Sequence, residues 1–269
     1  MKSIASYSPL TLAAMEAALN AGELLLTGFG TKYSISSKEG SQNLVTEYDL
    51  SSQKLIISIL QKQFPDHQFL GEEDKEITKI DRAKIVWIID PLDGTVNFAR
   101  SIPVFSVSIA AALGTDILTG VVYYPSMNEL FIAEKNQGAY LNGERIAVSK
   151  RNSFETAFMA TGFPYNVTED PLNCVERFAS IAKKGIPIRR LGSAAIDLSY
   201  VAAGRFDAFW EVGLHPWDLA AGKLLIEEAG GKVTHYNGAS HKIYGYHPVL
   251  ATNGVLHQKM VEILKQDVQ

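Results

Sequence analysis

Cysteine is almost absent: Cys174 is the only one in 269 residues. An intramolecular disulfide and a thiolate zinc cluster are therefore excluded, and a reducing, cytoplasmic location is expected. Cys174 lies between Asn173 and Val175-Glu176 with no base or cation beside it, and it reads as a small packed side chain rather than a nucleophile. No apolar run approaches the length of a bilayer span, so no membrane partner is expected. Residues 1–10 lack a basic segment followed by a continuous apolar stretch, which predicts an unprocessed protein. Positive charge is not in excess either, since 25 Lys and Arg stand against 29 Asp and Glu for a formal net charge of −4. With a pI near 5.9 and no basic stripe, the chain offers no extended footprint for nucleic acid, and none is expected as a partner. Repeats and low-complexity tracts are also missing.

What remains is globular composition, 46% hydrophobic and 20% charged, enough for a substantial core. One catalytic unit over 1–269 and two tightly joined lobes, 1–150 and 151–269, are both compatible with it. The boundary between lobes is marked only by the polar stretch Ser149-Lys150-Arg151-Asn152-Ser153. Apolar spacing predicts helices over 10–26, 46–64, 172–183, 193–203, 218–229 and 256–265. Alternating or continuous apolar runs predict strands over 85–89, 104–112, 117–124, 130–133, 158–161, 186–190, 206–211 and 249–252, with a hairpin at Asn142-Gly143. The strands of 85–148, joined by short turns, suggest an antiparallel meander. Residues 31–43 are polar and read as a loop. Gly28-Phe29-Gly30 follows a helix rather than a strand and is read as a helix stop, not a dinucleotide loop. The mixture predicts an α+β protein with helices layered on two sheets.

The most informative segment is Asp90-Pro91-Leu92-Asp93-Gly94-Thr95, directly after the apolar run Ile85-Val86-Trp87-Ile88-Ile89. A buried strand delivers its last side chains into a crevice, and two carboxylates so placed repel each other unless cations lie between them. A polar turn would use the same residues, so the reading depends on further ligands elsewhere. Gly71-Glu72-Glu73-Asp74 follows Phe69-Leu70, and His215-Pro216-Trp217-Asp218 opens an apolar helix. In those places an acidic tetrad can be a solvated loop, and Asp218 a helix cap. Taken together, Glu72, Asp90, Asp93 and Asp218 form a hard-oxygen set suited to Mg²⁺ or Mn²⁺. Without a His-x-x-x-His motif or clustered cysteines, zinc fits poorly, and His67 and His215 read as packing or surface residues.

Gly71-Glu72-Glu73, the run from Trp87 to Phe98, and Pro216-Trp217-Asp218-Leu219-Ala220-Ala221-Gly222 resemble the inositol monophosphatase family. Gly138-Ala139-Tyr140-Leu141-Asn142-Gly143 and Leu191-Gly192-Ser193-Ala194-Ala195 resemble it in the same order. This family belongs to the Mg²⁺-dependent, lithium-sensitive phosphomonoesterases that include fructose-1,6-bisphosphatases. The resemblance implies a layered αβαβα sandwich in which Glu72, Asp90 and the Leu92 carbonyl hold one Mg²⁺, and Asp90, Asp93 and Asp218 a second. Lys38 on a mobile loop, Thr46 and Asp49 match a weaker third site, although Asn43 stands where relatives often carry Asp. Glu211 and the Gly192-Ser193-Ala194 turn match substrate contacts. A homodimer and inhibition by Li⁺ are further implications.

The expected chemistry is two-metal hydrolysis of a small phosphorylated metabolite, with Glu72 and Thr95 orienting the attacking water. Asp93 would ligate metal and touch substrate, and the backbone N–H groups of Gly94 and Thr95 would bind phosphate oxygens. Inositol 1-phosphate is the default substrate, with other polyol and sugar phosphates and the 2′-phosphate of NADP beside it. Fructose 1,6-bisphosphate and adenosine 3′,5′-bisphosphate are alternatives. A catalytically idle, metal-dependent regulatory binding protein is the rival class. A two-metal nuclease is disfavoured by the acidic charge.

Overall fold

The computed structural model describes residues 6–37, 44–74 and 80–265. Helix α1 (Pro9–Gly28) is started by Ser8, whose hydroxyl accepts from the Thr11 N–H, and by Pro9 at a position where the missing N–H is no loss. Strands β1 (Ile35–Ser37) and β2 (Leu44–Thr46) then pair antiparallel, so part of the stretch read as loop is a small hairpin. It escaped because each strand has only three residues, too few for an alternating pattern to register. Helix α2 (Glu47–Gln63) is followed by β3 (Gln68–Gly71), β4 (Ile85–Asp93), the short α3 (Thr95–Ala99), β5 (Ser106–Leu113) and β6 (Asp116–Tyr124). Strands β7 (Glu129–Glu134), β8 (Gly138–Leu141) and β9 (Glu144–Ile146) complete a seven-stranded sheet in the order β3-β4-β5-β6-β7-β8-β9. It is antiparallel throughout except for β3, which runs parallel to β4.

The second half contributes β10 (Met159–Thr161), α4 (Cys174–Ala182), β11 (Ile188–Arg189), α5 (Ala194–Ala202), β12 (Ala208–Leu214) and α6 (Pro216–Glu228). Strands β13 (Lys232–Thr234) and β14 (His247–Thr252) and helix α7 (His257–Lys265) follow. A five-stranded sheet runs β11-β10-β12-β14-β13, with β10 parallel to both of its neighbours.

The alternation of side chains along β4 shows how the layers stack. Trp87 and Ile89 point into one core with Ala14, Ala18 and Leu25 of α1 and Ile56 and Leu60 of α2. Val86 and Ile88 point the other way, into a core shared with Leu198 of α5, Leu225 of α6 and Phe209 of β12. On the far face of the second sheet, Trp210 and Leu250 pack with Ile181 of α4 and Met260 of α7. The sequence of layers is therefore helices, sheet, helices, sheet, helices, the expected αβαβα sandwich. Gly120 on β6 lets α6 lie very close, since a Cβ there would stand 2.9 Å from the Ala221 Cα.

Candidate active site

Strand β4 shifts its register with β5 between Asp90, paired with Ser108, and Asp93, paired with Ser106. The Asp90 carboxylate accepts the Leu92 N–H at 3.0 Å, and Ser52 of α2 donates to the Pro91 carbonyl at 2.8 Å. Gly94 ends the turn at φ 94°, and a Cβ there would lie 2.8 Å from the Val104 carbonyl oxygen. Both conformation and space require glycine.

Asp93 is 9% exposed and is held by the start of α5. Its Oδ2 accepts from the Ser193 hydroxyl at 2.5 Å and the Ala195 N–H at 2.7 Å, while Oδ1 accepts the Ala194 N–H at 3.3 Å. Asn97 fixes that turn by donating to the Leu191 carbonyl at 2.8 Å, with Gly192 at φ 83° beside it. Thr95 donates to Asp49 Oδ1 at 2.9 Å and to the Leu92 carbonyl at 3.0 Å. One hydroxyl proton serves both, which leaves the oxygen's lone pairs to accept from another donor. Asp49 is completely buried and doubles as the capping-box residue of α2, where its Oδ2 accepts from the Thr46 N–H at 2.7 Å and hydroxyl at 2.6 Å.

Glu72 follows β3, its N–H donating to the Ile89 carbonyl at 3.1 Å, and its carboxyl is hydrogen-bonded to Asp90. Its loop is braced by Gln53, which donates to Asp74 at 2.8 Å and accepts the Glu73 N–H at 3.0 Å. Asp218, in the first turn of α6, accepts the His215 N–H at 2.7 Å. Glu211 of β12 presses against Gly162, whose missing side chain leaves room for the carboxylate.

This corner of the molecule concentrates negative charge. Burial, then the charges of Glu72, Asp93 and Asp218, raises the Asp90 carboxyl well above the usual range. Asp218 is raised likewise by burial, Glu72 and Asp93. Burial lifts Asp49 and Asp93 to about 6 against the pull of their hydrogen bonds. Burial and Asp93 push Glu211 to about 8. The donors are hard oxygens, and the uncompensated charge is of the kind that divalent cations relieve, so their chemistry fits Mg²⁺ or Mn²⁺. Among the described residues, no three acidic, His or Cys side chains are already gathered at the spacing of a bound ion. Asp93, Asp218 and Asp49 instead rest on protein donors.

Sequence reasoning missed several residues here. Ser106 of β5 reaches Asp93 at 3.5 Å and Ser193 at 3.2 Å. Asp197 of α5 is 2% exposed with one carboxylate oxygen unpartnered, and it feels Asp93 and Glu211. Asp197 sits at the acid-poor, apolar-rich start of a helix, where an isolated carboxylate was the available signal. Lys38 and Asn43 lie outside the described residues.

This sandwich, with acids pooled where its sheet and helices meet, defines a phosphoric monoester hydrolase. The chain belongs to the inositol monophosphatase family, whose model matches residues 6–269. It is 41% identical over 231 residues to the Nus factor SuhB of Escherichia coli K12, covering 86% of each chain. It is 39% identical over 254 residues to an inositol-1-monophosphatase of Caulobacter vibrioides, covering 93% of this chain and 99% of that one. The crystal structure of the extragenic suppressor protein SuhB from Bartonella henselae superposes with a TM-score of 0.89 at 37% identity, covering 97% of this chain and all of that one.

Proposed function

We propose that the chain is a Mg²⁺-dependent phosphomonoesterase acting on inositol 1-phosphate and related polyol or sugar phosphates, with the 2′-phosphate of NADP as a further substrate. It works as one catalytic unit, a cytoplasmic homodimer. The observation that carries this reading is the mutual charge interaction of Glu72, Asp90, Asp93 and Asp218, beside a turn in which the Thr95 proton is already committed to Asp49 and Leu92. Glu72, Asp90 and the Leu92 carbonyl would hold one Mg²⁺, and Asp90, Asp93 and Asp218 a second. Asp49 would serve a weaker third, and Mn²⁺ would substitute. When bound, these ions supply positive charge to the phosphate and acidify water.

The chain's own groups do the rest. Thr95 accepts a hydrogen bond from the attacking water and so aims its lone pair at phosphorus, and Glu72 takes its proton. The N–H groups of Gly94 and Thr95 bind phosphate oxygens. Glu211 and the Gly192-Ser193-Ala194 turn receive the hydroxyls of the alcohol. The decisive measurement is kcat/KM with Mg²⁺ for inositol 1-phosphate, a hexose phosphate, NADP, fructose 1,6-bisphosphate and adenosine 3′,5′-bisphosphate. Inositol 1-phosphate should lead, and Li⁺ should inhibit its turnover. A lead by either bisphosphate would move the chain to another branch of the superfamily. Light scattering should give the dimer mass.

A second reading is favoured by the relative named a Nus factor: a catalytically idle, metal-dependent binding protein that uses the same fold to regulate a partner. Absence of phosphate release from all five substrates, with tight binding to a partner protein, would put that reading first.

A further inference from the structure

Four of the six histidines fall within 235–257, and three of them recur every sixth residue: His235, His241 and His247. The fold turns this spacing into a cluster. A tight turn, with the His235 N–H donating to the Ala239 carbonyl at 2.9 Å and the Gly238 N–H to the His235 carbonyl at 3.0 Å, brings the chain back on itself. The antiparallel pairing of β13 with β14 then sets His247 beside His235. Ring centres stand 4.4 Å apart for His235 and His241, 5.3 Å for His235 and His247, and 5.9 Å for His241 and His247.

The hydrogen bonds of two rings fix their tautomers. His235 Nδ1 meets the Pro248 carbonyl at 3.1 Å, and His247 Nε2 meets the Tyr244 carbonyl at 3.1 Å. A carbonyl only accepts, so each of these nitrogens carries a proton, and it is His235 Nε2 and His247 Nδ1 that would offer lone pairs to an ion. Backbone carbonyls orient metal-bound imidazoles in this way. His241 is 9% exposed, its ring lies against His235 and His247, and the Lys242 backbone is within its reach. Burial first, then His235 and His247, holds it neutral with a pKa of about 4, the state in which imidazole ligates. His257 is not part of the set, because Thr234 and Thr252 occupy both its nitrogens.

We propose that His235, His241 and His247 form a second metal site, built for a divalent transition-metal ion such as Zn²⁺ and separate from the oxygen-lined corner. Three imidazoles on one tetrahedral ion hold their ring centres about 5 Å apart, and the observed separations bracket that value. Among the described residues no three ligating side chains already surround a common point, so the site closes by rotation of rings that stand at the required separation. The ligand set is neutral and Lys223 opposes added charge, so the fourth position takes water, hydroxide or a small anion. A bound ion would tie the turn after β13 to the start of β14. Tyr246, next to His247, touches His215 with ring centres 4.8 Å apart, so the clamp would end beside the first turn of α6.

The test uses the full chain, stripped by chelation and kept in excess Mg²⁺ to occupy oxygen ligands, with Co²⁺ as probe. One equivalent of Co²⁺ should give the intense visible bands of four-coordinate nitrogen ligation, Zn²⁺ should displace it, and Zn²⁺ should raise Tm. Binding should weaken at least tenfold in His241→Ala and also in His235→Ala and His247→Ala. The last two truncate partly exposed rings, so they keep the test valid if the first variant fails to fold. Weak six-coordinate bands only, or intense bands that persist in His235→Ala and His247→Ala, would overturn the proposal.

Discussion

The Ser193 hydroxyl donates to Asp93 Oδ2 at 2.5 Å across 100 residues of sequence. Ser193 also caps α5, so the positive end of that helix is directed at the Asp93 carboxylate. The contact joins the last residues of β4 to a helix that lies between the two sheets, and it positions Asp93 without using a cation.

Asp93→Asn should therefore keep the fold and lose the chemistry. The amide oxygen can still accept from Ser193 and Ala195, but a neutral ligand replaces an anionic one. Phosphate release should fall by about 100-fold or more, with circular dichroism and Tm close to the parent. Near-normal turnover would remove Asp93 from the catalytic set.

Mg²⁺ should stabilise the chain, and increasingly so as pH rises from 5 to 7. Without cations, Asp49 and Asp93 bind protons up to about pH 6 in the folded state, against about 4 when unfolded. The folded chain then holds more protons across that interval, and their contribution to stability is lost as pH rises through it. Mg²⁺ supplies the missing charge, worth about 2.7 kcal/mol at a hundredfold excess over Kd. Thermal melts with Mg²⁺ or EDTA at several pH values measure the increment, and chelation should abolish phosphate release.

Glu211 and Gly162 should govern substrate choice more than chemistry. Gly162→Ala drives a Cβ into the Glu211 carboxyl, and Glu211→Gln replaces a group with a pKa of about 8 by one that cannot ionise. Both should raise KM for inositol 1-phosphate about tenfold, with a smaller change in kcat. Steady-state kinetics that show kcat falling at constant KM would instead place Glu211 among the reacting groups.

His257 should make the fold acid-sensitive. Burial, then Lys232, lowers its pKa to about 4, while an unfolded histidine titrates near 6.5. The unfolded chain binds the extra proton between those values, so stability is complete above pH about 6.5 and drains away toward pH 4. In His257→Gln the difference in melting temperature between pH 7 and pH 5 should shrink, and an unchanged difference would show that this ring is not responsible.

The layered architecture was legible because β4 reads as a continuous apolar run that needs cover on both faces, and α1, α2 and α6 carry apolar residues at helical spacing. The turn at 90–95 stood out only beside Glu72 and Asp218, because an ordinary polar turn uses the same residues. What escaped was set by approach in space. Nothing near Ser106 announces that it faces Asp93, and the parallel β3 owes its place to pairing with β4 rather than to any pattern of its own four residues. The histidine trio escaped because a six-residue interval matches neither helix nor strand and becomes meaningful only when the turn after β13 folds it back.

The bond between Asp93 and Ser193 also has a bearing on synthesis. A ribosome delivers Asp90 and Asp93 long before α5 and α6 exist, so the acidic edge of β4 waits without its helix dipole, without Asp218 and without one face of its core. Partly made chains carry repelling carboxylates that nothing yet neutralises, and they cannot turn over substrate. On the proposed site, phosphate release would report a finished fold, since Asp93 meets Ser193 and Asp218 only when distant thirds of the chain have docked.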